Sequence, residues 1–143
     1  MSLTITSGLS ATCLLDSDPA NVARARELAR RTLREWQLSD VTGLAVIVVS
    51  ELVTNSIRHG AGPVTVRLSY AAGTLRTEVH DHGTGRPVRR HAGADDEDGR
   101  GLALLCDLAA LNAGELGVAE DRDGTGKTVF VTLAVAAATA LTG

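Results

Sequence analysis

No glycine or proline interrupts the chain between Gly43 and Gly60, and two segments of alternating apolar and polar residues follow at once. Leu44 to Val49 taken alone is apolar and β-branched enough to pass for a strand. Length and punctuation decide for a helix, because nothing turns the chain before Gly60. Ser39 is the expected cap of this helix, which runs to about His59 and stops at Gly60, a residue suited to the position after a helix end. Its core stripe is expected to hold Val41, Leu44, Ala45, Val48, Leu52 and Ser56. Glu51, Asn55, Arg58 and His59 then share an adjoining polar face.

Pro63 to Tyr70 puts Val64, Val66, Leu68 and Tyr70 on one side, Ala71-Ala72-Gly73-Thr74 turns the chain, and Leu75 to His80 alternates again. The long helix is therefore followed by a β-hairpin. Upstream, Ala11 to Leu15 reads as a strand. Asp16-Ser17-Asp18-Pro19 then starts a helix, with Asp18 as N-cap and Pro19 in the first helical position, where a missing N–H costs nothing. Val22, Ala25, Leu28, Ala29, Leu33 and Trp36 follow at helical spacing. Downstream, Leu102, Leu105, Leu108, Ala109 and Leu111 form another helical stripe. A short strand from Leu116 to Glu120, a turn at Asp121 to Gly124 and a strong strand from Thr128 to Val135 complete the pattern. Residues 86–99, rich in Arg, Pro, Gly and Asp and without periodicity, are the expected lid loop. The core is expected to span residues 9–135, with 136–143 as a dispensable tail.

A chain of 143 residues is read as one domain, 1–143, large enough to bury a single core. Aromatic residues make up only 2% of it, so the core falls to Leu, Val, Ile and Ala, and stacking platforms for single-stranded nucleic acid are missing. A net charge of −3 gives no electrostatic footprint for nucleic acid or an anionic membrane. Arg24, Arg26, Arg30, Arg31 and Arg34 are broken up by Glu27 and Glu35 and read as a solvated helix face. Cys13 and Cys106 have no metal-type spacing and read as buried or half-buried thiols of a reducing compartment. No basic leader opens the chain and no apolar stretch approaches the roughly 20 residues of a membrane span. A soluble, cytoplasmic protein is expected.

Three groups of residues carry chemistry. On a helix, Glu51 and Asn55 lie about 6 Å apart along one face; the carboxamide oxygen can ligate Mg²⁺ and the carboxylate can take a proton from a water or an alcohol. Asp81-His82-Gly83-Thr84-Gly85 leaves the end of a strand. Asp81 can accept from an exocyclic amine there, and Gly83 and Gly85 let the backbone pass close to a ring. Gly99-Arg100-Gly101-Leu102 opens an apolar run and makes a candidate helix N-terminus with free amides facing phosphate.

Each group has a plainer reading. Glu51 and Asn55 could mark the solvated side of a core helix, and Asp81-x-Gly83-x-Gly85 could be a simple hairpin exit. Their order and separation along one chain favour a common nucleotide site. Arg58 and His59 could reach a phosphate or the lid, or could satisfy terminal carbonyls of their own helix. A metal site of His80, His82 and His91 with Asp81 is disfavoured, because neighbouring strand residues point to opposite faces. Gly124-Thr125-Gly126-Lys127-Thr128 ends like a P-loop. It lacks the first glycine, with Asp121 in that place, and a strand follows where a P-loop needs a helix.

The ordered set resembles the N, G1 and G2 boxes of the GHKL ATPase and kinase superfamily, in its branch of anti-sigma-factor serine kinases, over about Pro19 to Leu133. The resemblance implies a two-layer α/β (α+β) sandwich with a mixed, mostly antiparallel sheet and helices on one face. It implies Mg·ATP as cofactor, with Asn55 as Mg²⁺ ligand, Glu51 as general base and Asp81 as adenine reader. Gly83, Gly85, Gly99, Arg100, Gly101 and Leu102 would line the nucleotide. Thr128 matches the residue of the last glycine box that bonds adenine directly or through water, and Lys127 stands where the family often carries Thr. The lid departs from better-known members: Asp95-Asp96-Glu97-Asp98 is acidic, with Arg86, Arg89, Arg90 and Arg100 available to phosphate.

The function so implied is a protein serine kinase that acts as an anti-sigma factor or partner-switching regulator and phosphorylates an anti-anti-sigma-type protein. Its partners would be that serine-bearing protein and a sigma factor, and it would be a homodimer. A non-catalytic ATP-gated binding module would carry the same boxes. A histidine-kinase catalytic domain shares the fold but needs a helical segment with a phosphoacceptor histidine, for which no room is expected before Pro19.

Overall fold

The computed structural model describes residues 9–83 and 97–135. Gly85, most of the expected lid and the tail 136–143 lie outside the described residues. The elements follow in the order β1 (Leu9–Leu15), α1 (Asn21–Glu35), a 3-10 turn (Ser39–Val41), α2 (Thr42–His59), β2 (Val64–Ala71), β3 (Thr74–Asp81), α3 (Glu97–Leu111), β4 (Leu116–Glu120) and β5 (Lys127–Ala134). The five strands form one sheet in the order β1-β2-β3-β5-β4. All its described pairings are antiparallel, so the expected mixed sheet is antiparallel throughout.

Strand parity divides the sheet into two faces. Val64, Val66 and Leu68 of β2, Leu75 and Val79 of β3, and Val129, Val131 and Leu133 of β5 point inward and are buried with Ala45, Val48, Val49, Leu52 and Val53 of α2. Arg76, Glu78 and His80 project from the other side of β3. There the Arg76 guanidinium sits 3.9 Å from the Phe130 ring centroid, a cation–π contact across paired strands. The two-layer sandwich therefore has a helix-covered face and a polar one.

Helix α2 packs between the sheet and α1, which explains why its buried set is wider than a single stripe: Val49 and Val53 join the expected residues. Together with its leading turn, Ser39–His59 is long and apolar enough to cross a membrane by composition, contrary to the reading of the sequence. Its buried side chains belong to the domain core, as expected for a helix apolar on more than one side.

Several element ends moved. Asp18 does accept a backbone N–H, but from Ala20 at 2.9 Å, and Pro19 and Ala20 form a turn, so α1 begins at Asn21. The arginines of α1 are mostly exposed, as a solvated face requires, and Arg26 Nε donates to Ser50 Oγ at 3.4 Å. The hairpin turns through Ala72 and Gly73 with φ of 52° and 78°, the two left-handed residues of a type I′ turn. The chain is already helical at Glu97, before the expected glycines, and Leu111 at the end of α3 is 81% exposed, outside the core.

Candidate nucleotide site

The C-terminal half of α2 is the ruler of the site. Glu51, Thr54 and Asn55 project from it and line a small pocket closed on the other side by Leu102 of α3. Gly101 lies so close to Glu51 that a Cβ there would collide with the Glu51 Oε1 atom. The carboxylate thus meets the beginning of α3 where that helix passes over α2. Two of the three sequence groups, far apart in the chain, converge here.

The Asn55 amide and the Thr54 hydroxyl are hard oxygen donors on the same helix face as a carboxylate, a set that suits Mg²⁺, which keeps several waters and takes few protein ligands beside phosphate oxygens. Among the described residues no group of three His, Cys, Asp or Glu could hold a metal ion by itself. The residues present fit a metal that arrives with its nucleotide.

Residues 84–96 lie outside the described ones, and the first described turn of α3 is Glu97 to Arg100. Gly99 and Arg100 lie in that turn. Gly101 and Leu102, expected to offer amides, lie just beyond it; Leu102 contributes a buried side chain to the pocket and Gly101 contributes room for Glu51.

At the other end of the ruler α2 stops at Gly60, roughly 14 Å beyond Glu51 at the helical rise per residue. Gly60 caps α2 as expected, its N–H bonding the Ser56 carbonyl, but with φ of −96° and ψ of −159° it is extended and needs no left-handed freedom. The reason for glycine is Asp81: a Cβ at Gly60 would stand 2.6 Å from both carboxylate oxygens. Asp81 ends β3 on its inward face and is fully buried. Its Oδ1 accepts from the Gly83 N–H at 2.8 Å and from Lys127 Nζ at 2.9 Å. Gly83 is packed as tightly, with room for a Cβ blocked by Gly60 Cα at 2.8 Å and Lys127 Nζ at 3.2 Å.

Asp81 Oδ2 is different. Among the described residues it and Thr77 Oγ1 are the buried side-chain polar atoms with no hydrogen-bond partner. A buried carboxylate oxygen without a donor is costly, and it fits an exocyclic amine that would supply one.

Thr128 is not part of this cluster. In the β3–β5 register Asp81 faces Lys127, and Thr128 faces His80. Partners in register share a face, so Thr128 lies on the polar side of the sheet and Lys127, not the expected Thr128, stands inward beside Asp81. His80 on that side bonds Asp121 Oδ2 through Nε2 at 2.9 Å, while His82 packs edge-on against its ring at 5.1 Å. His80 and Asp81 thus point apart, as expected. Gly60, Thr54 and Lys127 were not among the residues expected in the site. Counting alternate positions from the last glycine box against those ending at Asp81 is the one sequence signal that would have brought Lys127 forward.

The profile of the histidine kinase-like ATPase domain, HATPase_c_2, matches residues 15–133. The chain belongs to the histidine kinase-like ATPase domain family. It is an ATP-binding module of GHKL type, and its antiparallel sheet with helices on one face is the fold of that group. Among solved structures, the chain is similar to the histidine kinase domain of the blue-light activated histidine kinase EL346 from Erythrobacter litoralis, at 20% identity and a TM-score of 0.52 over 86% of this chain and 63% of that one. It is also similar to full-length ShkA, solved in complex with AMPPNP, at 22% identity and a TM-score of 0.57 over 86% of this chain and 32% of that one. At these identities the likeness is one of fold, and the chain spans less than two thirds of either protein. No curated protein sequence matches.

Proposed function

We propose that this ATP-binding module is a Mg·ATP-dependent protein serine kinase that regulates a partner protein. The observation that carries the reading is the meeting of Glu51 with Gly101 at the pocket shared with Asn55. A carboxylate at the phosphate end of a nucleotide site, beside a metal-suited carboxamide, is placed to act as a general base on an incoming hydroxyl.

On this reading Asp81 and Gly83 hold the base, α2 spans to the phosphates, and Asn55 and Thr54 offer oxygens to the metal. Bound Mg²⁺ supplies charge neutralisation across the phosphates. Glu51 accepts the serine proton as the serine oxygen bonds to the γ-phosphorus and the bond to the bridging oxygen of the ADP leaving group breaks. The remaining contribution of the protein is positioning. The resemblance to anti-sigma-factor serine kinases supplies the partners: a small anti-anti-sigma-type protein bearing the serine and a sigma factor, with the kinase as a cytoplasmic homodimer.

The test is labelling. The protein is incubated with γ-phosphate-labelled ATP and Mg²⁺ together with the proteins that co-purify with it, and acid-stable phosphoserine is sought. Transfer to serine supports the proposal. Acid-labile phosphohistidine would favour a histidine-kinase domain, and ATP binding without transfer would leave an ATP-gated binding module.

A further inference from the structure

Lys127 is a buried lysine whose ammonium is held inside the base end of the site. The residue is 5% exposed, Asp81 is 0% exposed, and the two are joined at 2.9 Å across adjacent strands in register. A lone counter-ion would be expected to neutralise as much of the carboxylate as it can reach. Instead Lys127 and the Gly83 N–H both converge on Oδ1, and Oδ2 is left without a donor. Gly83 packs against the ammonium itself, 3.2 Å from where its Cβ would stand, so the Nζ position is confined by the same backbone that borders the base site.

The two members of this ion pair therefore present opposite hydrogen-bonding character. Asp81 Oδ2 is an acceptor in need of a donor. Lys127 Nζ carries three protons, of which Asp81 Oδ1 takes one. The Watson–Crick edge of adenine carries the complementary pair, an N6 amine that donates next to an N1 that accepts. A base presenting a carbonyl in place of the amine would set an acceptor against the unpaired Oδ2.

We propose that Lys127 is a base-reading residue that donates from Nζ to N1 of adenine while Asp81 Oδ2 accepts from the N6 amine. This rests on the nucleotide reading of the site. The lysine does two things at once: it orients Asp81 by binding one oxygen, and it supplies the second half of the adenine pattern directly. Donation by an ammonium is stronger than donation by a neutral group.

The test uses the full chain and 1-deaza-ATP, which keeps the N6 amine and replaces the N1 acceptor with C–H. Calorimetry with Mg²⁺ should show the parent binding ATP roughly 10- to 100-fold more tightly than 1-deaza-ATP, the range expected when a charge-assisted hydrogen bond is lost. Lys127→Met should bind ATP more weakly and no longer separate the two nucleotides. A merely structural lysine would weaken ATP in the variant yet leave the parent indifferent to N1. Equal affinity of the parent for the two nucleotides overturns the inference alone. Retained discrimination in Lys127→Met also overturns it and assigns N1 to another donor. Should Lys127→Met fail to fold, Asp81→Asn/Lys127→Met removes the charges together, and the comparison in the parent stands by itself. Failure of the parent to bind ATP at all overturns both the inference and the site reading.

Discussion

Lys127 Nζ and Asp81 Oδ1 form a buried ion pair at 2.9 Å between the first residue of β5 and the last of β3. This pair sets the energetics of the Asp81 end of the candidate site. Removing one partner of a buried pair leaves an uncompensated charge, which typically costs about 3–5 kcal/mol. Asp81→Asn is therefore expected to lose ATP affinity and also to be destabilised on that scale, because the ammonium remains. Urea denaturation and calorimetry read the two effects separately. The double variant Asp81→Asn/Lys127→Met should recover part of the stability without recovering ATP; a single variant as stable as the parent contradicts the pairing.

Gly60→Ala tests the close approach of α2 to Asp81. The backbone there is extended and tolerates any side chain, so the effect comes from the methyl group alone, which would stand 2.6 Å from each carboxylate oxygen. Overpacking of this kind costs about 1–3 kcal/mol. A lower denaturation midpoint with weaker ATP binding is expected, and an unchanged protein would mean that Asp81 moves freely.

Asn55→Ala removes the oxygen best suited to the metal. Asn55 is half-buried on a helix, where Ala is favourable. The fold should survive by circular dichroism while the gain in ATP affinity on adding Mg²⁺ disappears. Persistence of that gain would assign the metal to other oxygens.

Glu51→Gln keeps the shape of the side chain beside Gly101 and loses its basicity. ATP affinity should stay near the parent value while phosphotransfer to serine falls roughly 10²- to 10⁴-fold. A group that acts mainly in the transition state separates binding from chemistry, so on the proposed role the two should come apart in this one variant. Equal losses in both would make Glu51 a binding residue.

The turn between β4 and β5 carries a titration marker. The Thr125 hydroxyl and N–H both bond Asp123 Oδ1, at 2.6 and 3.1 Å, and together they hold the exposed Asp123 carboxyl below its usual value. A depressed folded pKa means that any stability this turn gains is present above the unfolded pKa and is lost as pH falls through the folded one. Thr125→Val should raise the Asp123 titration midpoint towards the ordinary carboxylate range, as followed by NMR; no movement would show that the hydroxyl is not the cause.

Much of the architecture was legible in the order of the residues. The unbroken stretch before Gly60 and the alternation of Val64, Val66, Leu68 and Leu75 determine a helix and a hairpin through local periodicity, which needs no tertiary information. Glu51 and Asn55 share a pocket because helical spacing alone puts them on one face. What the periodicity of one element leaves open is how it meets another. Gly60 reads as a helix stop in sequence and is a clearance for Asp81 in space. Leu111 fits an apolar stripe and is 81% exposed, because periodicity along one helix does not say which of its turns a neighbouring element covers. The exchange of Thr128 for Lys127 beside Asp81 has the same origin. Alternation along β5 gives two possible faces, and only its antiparallel register with β3 decides which of two adjacent residues stands against Asp81.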